Sequence, residues 1–240
     1  MHRRRVYLIL VVVGVVLAGV LVVVFSRERE PEYAGKRLSE WVESYAATPS
    51  AVEGSFEFQQ ADGAIRQFGT NALPYLLNWI RYEPPTTNKR LRRAVNSMLQ
   101  PLNRWWWVTD GRQLARAIGA MHALIALGPS VEGAFGELTE MVNDRTAQLS
   151  RLRAVGVFAG LGTAGLPALI RVLTNQPAEG KRWTPATMLS ANMIMQMGTN
   201  AALAIPTLVN LLKDPDPTMR NIATNALLKI DPEALERAAR

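Results

Sequence analysis

Cysteine is absent from the 240-residue chain, and this absence excludes several kinds of chemistry. Without cysteine there is no disulfide, no thiolate metal site, no cysteine nucleophile and no acylated lipoprotein cysteine. The compartment stays open, because many exported proteins have no disulfide.

Histidine is scarce, and motifs of common enzyme classes are missing. Of the two histidines, His2 lies in the N-terminal tail and His122 lies in GAMHALIALG, a predicted helix that favours a packed or surface histidine. The strings H-E-x-x-H, G-x-S-x-G and G-x-x-x-x-G-K-[ST] do not occur. Asp214 and Asp216 stand in a proline-rich turn, where helix capping is a better interpretation than a cation site. We therefore expect no enzyme activity, no metal and no cofactor.

Charge is absent from residues 6–25, VYLILVVVGVVLAGVLVVVF. Twenty helical residues span about 30 Å, the thickness of the hydrocarbon core of a bilayer. Arg3, Arg4 and Arg5 precede this segment, and the charges of the RERE that follows it cancel. The positive-inside rule predicts a cytoplasmic basic tail at residues 1–5, a transmembrane anchor, and an extracytoplasmic remainder.

A cleaved signal peptide is the alternative for the same segment. Val24 and Ser26 have the spacing that a signal peptidase prefers. A cleavable apolar segment usually has about 7–15 residues, so the longer segment here favours a retained anchor. The expected location is that of a single-pass protein of the bacterial inner membrane.

Similar glycine-containing segments recur along the rest of the chain: FGTNALPYLLNWI, LGTAGLPALIRVL and MGTNAALAIPTLVNLL. The marker glycines, 59, 34 and 36 residues apart, are Gly69, Gly128, Gly162 and Gly198. Glycine tolerates the left-handed conformation that closes a helix, so each one predicts a helix end. The expected N-caps of the next helices are Thr70, Thr163 and Thr199. The prolines expected near their first turns are Pro74, Pro167 and Pro206.

The last unit, AALAIPTLVNLLKDPDPTMRNIATNALLKIDPEAL, shows the pattern most clearly. Its I-P-x-L-x-x-L-L-x-D and R-x-x-A-x-x-A-L-x-x-I strings resemble a HEAT repeat. The residues that carry the resemblance are Ile205, Pro206, Leu208, Leu211, Leu212, Asp214, Arg220, Ala223, Ala226, Leu227 and Ile230. The match is good for residues 198–232, fair for 128–197 and weaker for 55–127.

The opening YAGKRLSEWVESYA is similar to the start of membrane-anchored HEAT-repeat proteins of Verrucomicrobia-like bacteria. This resemblance implies an α-solenoid used for protein contacts, without catalysis, and it carries over no specific functional residue. The expected fold class is all-α: an N-terminal transmembrane helix followed by a HEAT-like solenoid of helical pairs. No window of alternating apolar and polar residues favours a sheet.

The expected organisation continues after the anchor with a linker at residues 26–36 and a repeat domain at residues 37–240. The domain should open with a capping helix at residues 37–47 and close with a terminal helix at residues 232–239. One face of the capping helix carries Leu38, Trp41, Val42 and Tyr45. The residues expected to be buried between the last repeats are Leu208, Leu212, Ala223 and Leu227.

The 59-residue separation exceeds one period of about 35 residues, which predicts an insertion at residues 83–109. This segment, EPPTTNKRLRRAVNSMLQPLNRWWWVT, is basic, rich in tryptophan and predicted to contain its own amphipathic helix. The candidate interaction surface on it comprises Lys89, Arg90, Arg92, Arg93, Arg104, Trp105, Trp106 and Trp107. The tryptophans either pack the inserted helix on the solenoid or meet a partner protein or anionic lipid. Nucleic acid is disfavoured, because the expected topology places this segment outside the cytoplasm.

Three functions from different classes follow from these features. The favoured one is a membrane-anchored scaffold that mediates protein–protein interaction on the extracytoplasmic side through a solenoid surface. A peripheral sensor of anionic membranes or partner surfaces, acting through the insertion, is the second. A lyase-like enzyme on a HEAT frame is the third and the least favoured, since the sequence has no cysteine and no polar cluster.

Overall fold

A computed structural model of the chain describes residues 30–47, 56–84, 104–175 and 184–239, without the side chains of residues 47, 104–110 and 239. The chain separates into two compact units, Met1–Pro31 and Glu32–Arg240, and almost all of the described residues belong to the second. The predicted tail, the predicted anchor at residues 6–25 and the basic residues of the insertion lie outside the described residues.

Helix dominates the described residues, which agrees with the predicted all-α class. The helices are α1 (Leu38–Ala47), α2 (Phe56–Phe68), α3 (Leu73–Ile80), α4 (Arg104–Leu127), α5 (Phe135–Asn143), α6 (Gln148–Gly160), α7 (Leu166–Thr174), α8 (Pro185–Met197), α9 (Ile205–Leu211), α10 (Pro217–Ile230) and α11 (Pro232–Ala239). Short 3-10 segments at Gly69–Ala72, Gly128–Ala134, Gly162–Ala164 and Gly198–Ala204 join helices.

A small hairpin stands where the sequence predicts a linker without a sheet. β1 (Glu32–Tyr33) and β2 (Lys36–Arg37) pair antiparallel, with Tyr33 opposite Lys36. Both turn residues, Ala34 and Gly35, have positive φ, as a two-residue hairpin turn requires. The indole Nε1 of Trp41 donates to the backbone oxygen of Tyr33 at 3.1 Å, so the hairpin is attached to α1. Two residues per strand are too few for an alternating pattern to show in the sequence.

The capping helix agrees with its prediction, because the side chains of its predicted apolar face are all buried. They are Leu38, Trp41, Val42 and Tyr45. α1 packs on α2 and, more extensively, on α4.

The helix ends follow the glycine prediction. The four marker glycines have φ between 54° and 61°, a conformation that residues with a Cβ rarely adopt. The predicted prolines also lie in the first turn of α3, α7 and α9. The predicted threonine caps are wrong, because Thr70, Thr163 and Thr199 belong to the 3-10 segments. The N-cap positions of α3, α7 and α9 are Ala72, Gly165 and Ala204, and none of them makes a side-chain capping hydrogen bond. The 3-10 segment delays the start of the second helix by several residues.

Helix packing runs between neighbours along the chain. The short helices α3, α5, α7 and α9 pack on the helices that follow them, α4, α6, α8 and α10. The longer helices α2, α4, α6, α8 and α10 also contact one another in that order. The core therefore continues from one pair of helices to the next.

Glycines allow the closest of these approaches. A Cβ on Gly156 would lie 2.7 Å from Sδ of Met121, and one on Gly160 would lie 2.6 Å from Cδ1 of Ile125. These glycines are one turn apart on α6, so two large side chains of α4 occupy the space where side chains of α6 would stand. α4 and α6 consequently pack at short distance.

The predicted burial in the last repeats is largely confirmed. Leu208, Ala223 and Leu227 have no exposed surface, whereas Leu212 is half-buried at the margin of the core. In the turn before α10, Asp216 acts as a cap, as predicted, whereas Asp214 accepts from the backbone N–H of Asp216 at 2.9 Å within the turn. The carboxylate of Asp216 accepts from the backbone N–H of Thr218 at 2.8 Å at the start of α10.

Within the described residues, one helical stretch, Gly111–Asn143, is long and apolar enough to cross a membrane by length and composition. It is not the predicted N-terminal anchor. Ala117, Ala120 and Leu124 of this stretch have no exposed surface, because α4 packs against α1, α3 and α6. Burial in a protein core accounts for the apolar character of this part of α4.

Candidate interaction surface on the fourth helix

The predicted interaction surface falls mostly outside the described part of the chain. Lys89, Arg90, Arg92 and Arg93 belong to residues 85–103, which the structure does not describe. The backbone of Arg104, Trp105, Trp106 and Trp107 forms the first turn of α4, although their side chains are also outside the described residues. This end of the predicted insertion is therefore continuous with the long helix that runs to Leu127.

The first side chains of α4 that the structure describes, at residues 111–114, are exposed. Leu114 is 39% exposed and Ile118 is 37% exposed, and four residues separate them, so they share a face of the helix. Position 107 is seven residues before Leu114 and has the same helical register.

A cleft of about 440 Å³ lies on another face of α4, between this helix and the end of α3. Its lining residues are Asn78, Trp79, Arg81, Tyr82, Gln113 and Arg116. Aromatic rings, amides and guanidinium groups together suit a peptide segment with acidic or aromatic side chains. Residues 85–103 connect the two elements that form the cleft.

Positive charge exceeds negative charge along this part of α4. Glu43 of α1 accepts from Nε of Arg116 at 2.7 Å, and Nε of Arg112 lies 3.7 Å from the same carboxylate. The guanidinium of Arg116 also lies over the ring of Trp79, 5.7 Å from its centre. One carboxylate shared by two arginines leaves a net positive charge. Partly exposed pairs of this kind contribute about 0–1 kcal/mol, so they leave the surface available for binding.

His122 lies on another face of α4, in an aromatic cluster. Its ring stacks on Tyr45 at 5.7 Å and meets the edge of Phe58 at 5.5 Å. The Tyr45 hydroxyl donates to Oδ1 of Asp62 at 2.7 Å. Burial, together with the hydrogen bond and the charge of Asp62, raises the pKa of Tyr45 far above its ordinary value. This is the packed histidine that the sequence predicts.

A glycine string at residues 160–165, GLGTAG, has the spacing of a dinucleotide-binding fingerprint. That fingerprint works at a turn from a strand into a helix. Here Gly160 ends α6 and Gly162 has φ of 61°, and the segment enters α7 through a 3-10 turn. A Cβ on Gly165 would lie 1.8 Å from the backbone oxygen of Phe158. The glycines therefore serve a tight connection between two helices.

Sequence reasoning missed Trp79, Arg112, Leu114, Arg116 and Ile118 as surface candidates. α4 carries apolar residues on most of its circumference, so hydropathy alone does not separate Leu114 and Ile118 from the buried alanines beside them. Among the described residues, no group of three or more His, Asp or Glu side chains is arranged to hold a metal ion. Models of known protein families and the curated proteins both yield no match to this chain.

Proposed function

We propose that the chain is a membrane-anchored HEAT-repeat scaffold that binds other proteins on the extracytoplasmic side of the bacterial inner membrane. The anchor and its orientation rest on the apolar residues 6–25 and on the arginines that precede them. The repeat character is supported by the recurring unit of a long helix, a glycine with positive φ, a 3-10 segment and a short proline-initiated helix. Contacts between successive units are what an α-solenoid requires.

The observation that carries the binding role is the exposed apolar pair on α4. Leu114 and Ile118 share one face of α4, and the cleft at Trp79 lies on another face of the same helix. Exposed apolar residues, and arginine and aromatic side chains such as those that line the cleft, are typical of protein interfaces. The partner chemistry that fits is a segment with apolar and acidic side chains.

Site-specific crosslinking tests this proposal. A photoreactive phenylalanine analogue at position 114 or 118 of the full-length protein, expressed in its own membranes, should give a discrete adduct with another protein. Leu203 is a matched control, because it is 65% exposed and lies in the segment before α9. Adducts of the same size and yield at position 203, or none at 114 and 118, would contradict a binding surface on α4.

A sensor of anionic membranes is the second candidate. It is supported by the net positive charge of Arg112 and Arg116 in the helix that Trp105, Trp106 and Trp107 begin. Each basic residue near an anionic membrane adds about 1 kcal/mol of binding energy, and salt weakens this attraction. Reconstituted protein should then sediment with added anionic vesicles more than with neutral ones, and high salt should remove the difference. Equal sedimentation in both would leave the scaffold as the remaining proposal.

We propose a binding role in preference to a lyase-like or other catalytic one. The aromatic packing of His122 against Tyr45 and Phe58 supports this choice, because it gives the imidazole a role in the core. Replacement of His122 by alanine should lower stability and leave partner crosslinking at position 114 unchanged in the remaining folded protein.

A further inference from the structure

Two arginines of α6 are buried two residues apart, and their surroundings differ. Arg153 is 7% exposed, its Nε donates to the backbone oxygen of Ile80 at 3.0 Å, and its Nη2 donates to that of Tyr82. Arg151 is 4% exposed, and its Nε is enclosed without a hydrogen-bond partner. No acidic side chain among the described residues forms an ion pair with Arg151.

A second arginine stands near Arg151. Arg145, in the turn before α6, is exposed to solvent, and its Nη2 donates to the backbone oxygen of Asn175 at 2.7 Å. Burial and the positive charge of Arg145 both lower the pKa of Arg151. Asp144, next to Arg145 in sequence, forms no ion pair with either arginine, and its Oδ1 accepts from the backbone N–H and the hydroxyl of Thr146 at 2.8 and 2.6 Å.

An unpaired guanidinium in a protein interior is unfavourable, whereas a guanidinium that binds a carboxylate or phosphate through two parallel hydrogen bonds is strongly favoured. Among the described residues, neither Arg151 nor Arg145 forms an ion pair with an acidic side chain, and the Nε of Arg151 has no hydrogen-bond partner. We propose that Arg151, together with Arg145, binds an oxyanion at the edge where α6 follows α5, with Arg145 on the solvent side. The oxyanion is the carboxylate or the phosphate group of a ligand or partner. This site is separate from the surface on α4 and does not depend on the proposed scaffold function.

Thermal unfolding of the full-length protein in detergent, with inorganic phosphate or acetate compared with chloride at equal ionic strength, tests the site. An anion at about ten times its dissociation constant should raise the unfolding midpoint by about 3–6 °C. Arg151→Met keeps the apolar stem of the side chain but removes the guanidinium, so it should lose this increment. Arg171→Gln removes an exposed arginine of α7 and should keep it. If both anions raise the unfolding midpoint, the site accepts oxyanions in general. If only phosphate raises it, the site selects a phosphate group.

Titration calorimetry of phosphate below the unfolding temperature gives a second measurement that does not depend on the stability of the variant. Arg151→Lys, which keeps the charge but loses the paired N–H groups, should bind at least tenfold more weakly than the wild-type protein. An equal increment in wild-type and Arg151→Met proteins would mean a general salt effect on hydration and would overturn the proposal. The proposal also fails if the effects of Glu179→Gln and Arg151→Met on the free energy of unfolding in chloride are not additive. Glu179, which lies outside the described residues, would then be the hydrogen-bond acceptor of Arg151.

Discussion

Replacing Gly119 by alanine should separate α1 from α4. A Cβ at this position would lie 2.0 Å from the backbone oxygen of Val42 and 2.8 Å from its backbone carbon. Ordinary contacts of a Cβ are longer than 3 Å, so α1 must move by about 1 Å. No side-chain rotation relieves the contact, because the obstacle is backbone.

The magnitude follows from two opposing effects. Alanine in place of glycine in a helix interior stabilises by about 1 kcal/mol, whereas overpacking of a close contact typically costs about 1–3 kcal/mol. The displaced helix α1 also holds Leu38 and Val42, which have no exposed surface. We therefore expect Gly119→Ala to lower the free energy of unfolding by about 1–2 kcal/mol in total, a midpoint decrease of about 2–8 °C.

Gly111 of the same helix is the matched control. It is exposed, and no atom lies within 4 Å of the position that its Cβ would take. Gly111→Ala should raise the midpoint by about 2–4 °C through helix propensity alone. Circular dichroism of the full-length protein in detergent measures both variants. If Gly119→Ala unfolds at or above the wild-type midpoint, α1 and α4 do not approach each other as described, and the capping role of α1 is refuted.

Three further predictions concern the core, the response to pH and the anchor. Leu227→Asp places a charge where no surface is exposed and should lower the free energy of unfolding by about 3–5 kcal/mol. Leu228→Asp, at a residue that is 53% exposed, should change it by about 0.5 kcal/mol or less. Similar urea midpoints for the two variants would show that α10 buries a different face. The raised pKa of Tyr45 means that the folded state keeps the phenolic proton above pH ~10, where the unfolded state releases it. The contribution of Tyr45 to stability is thus present below pH ~10 and lost as pH rises. The urea midpoint of Tyr45→Phe should therefore fall less between pH ~9 and ~11 than that of the wild type. Equal falls in the two proteins would contradict this. N-terminal sequencing of protein from native membranes should find residues 6–25 retained, and a mature chain that begins at Arg27 would rule the anchor out.

Most helix boundaries could be predicted from the sequence, because they depend on local backbone conformation. A glycine that directly follows a helix often adopts positive φ, as Gly69 and Gly198 do, wherever that helix lies in the chain. The positions of the prolines in the first helical turns could be predicted for the same reason. The threonine caps failed because a 3-10 segment and the α-helix after it start with similar residues, and only backbone geometry distinguishes them.

The sequence could not predict which residues of α4 are exposed, because burial depends on elements that are distant in sequence. Leu114 is exposed and Ala117 is buried, although leucine is the more apolar of the two, since the helices that pack on α4 cover Ala117 and leave Leu114 partly open. The position of α1 against Gly119 follows from the packing of residues about 77 positions apart. No periodicity within α4 carries that information.

The sequence by itself determined the all-α class, the ends of most helices and the apolar face of α1, because spacing and glycine or proline chemistry act within a few residues. Only the tertiary structure decided which of the buried arginines of α6 is hydrogen-bonded. Arg151 and Arg153 have the same side chain on the same helix, yet backbone oxygens near the end of α3 reach only Arg153. Hydrogen bonding of a buried group is set by its neighbours in space, and the order of residues along one helix does not record them.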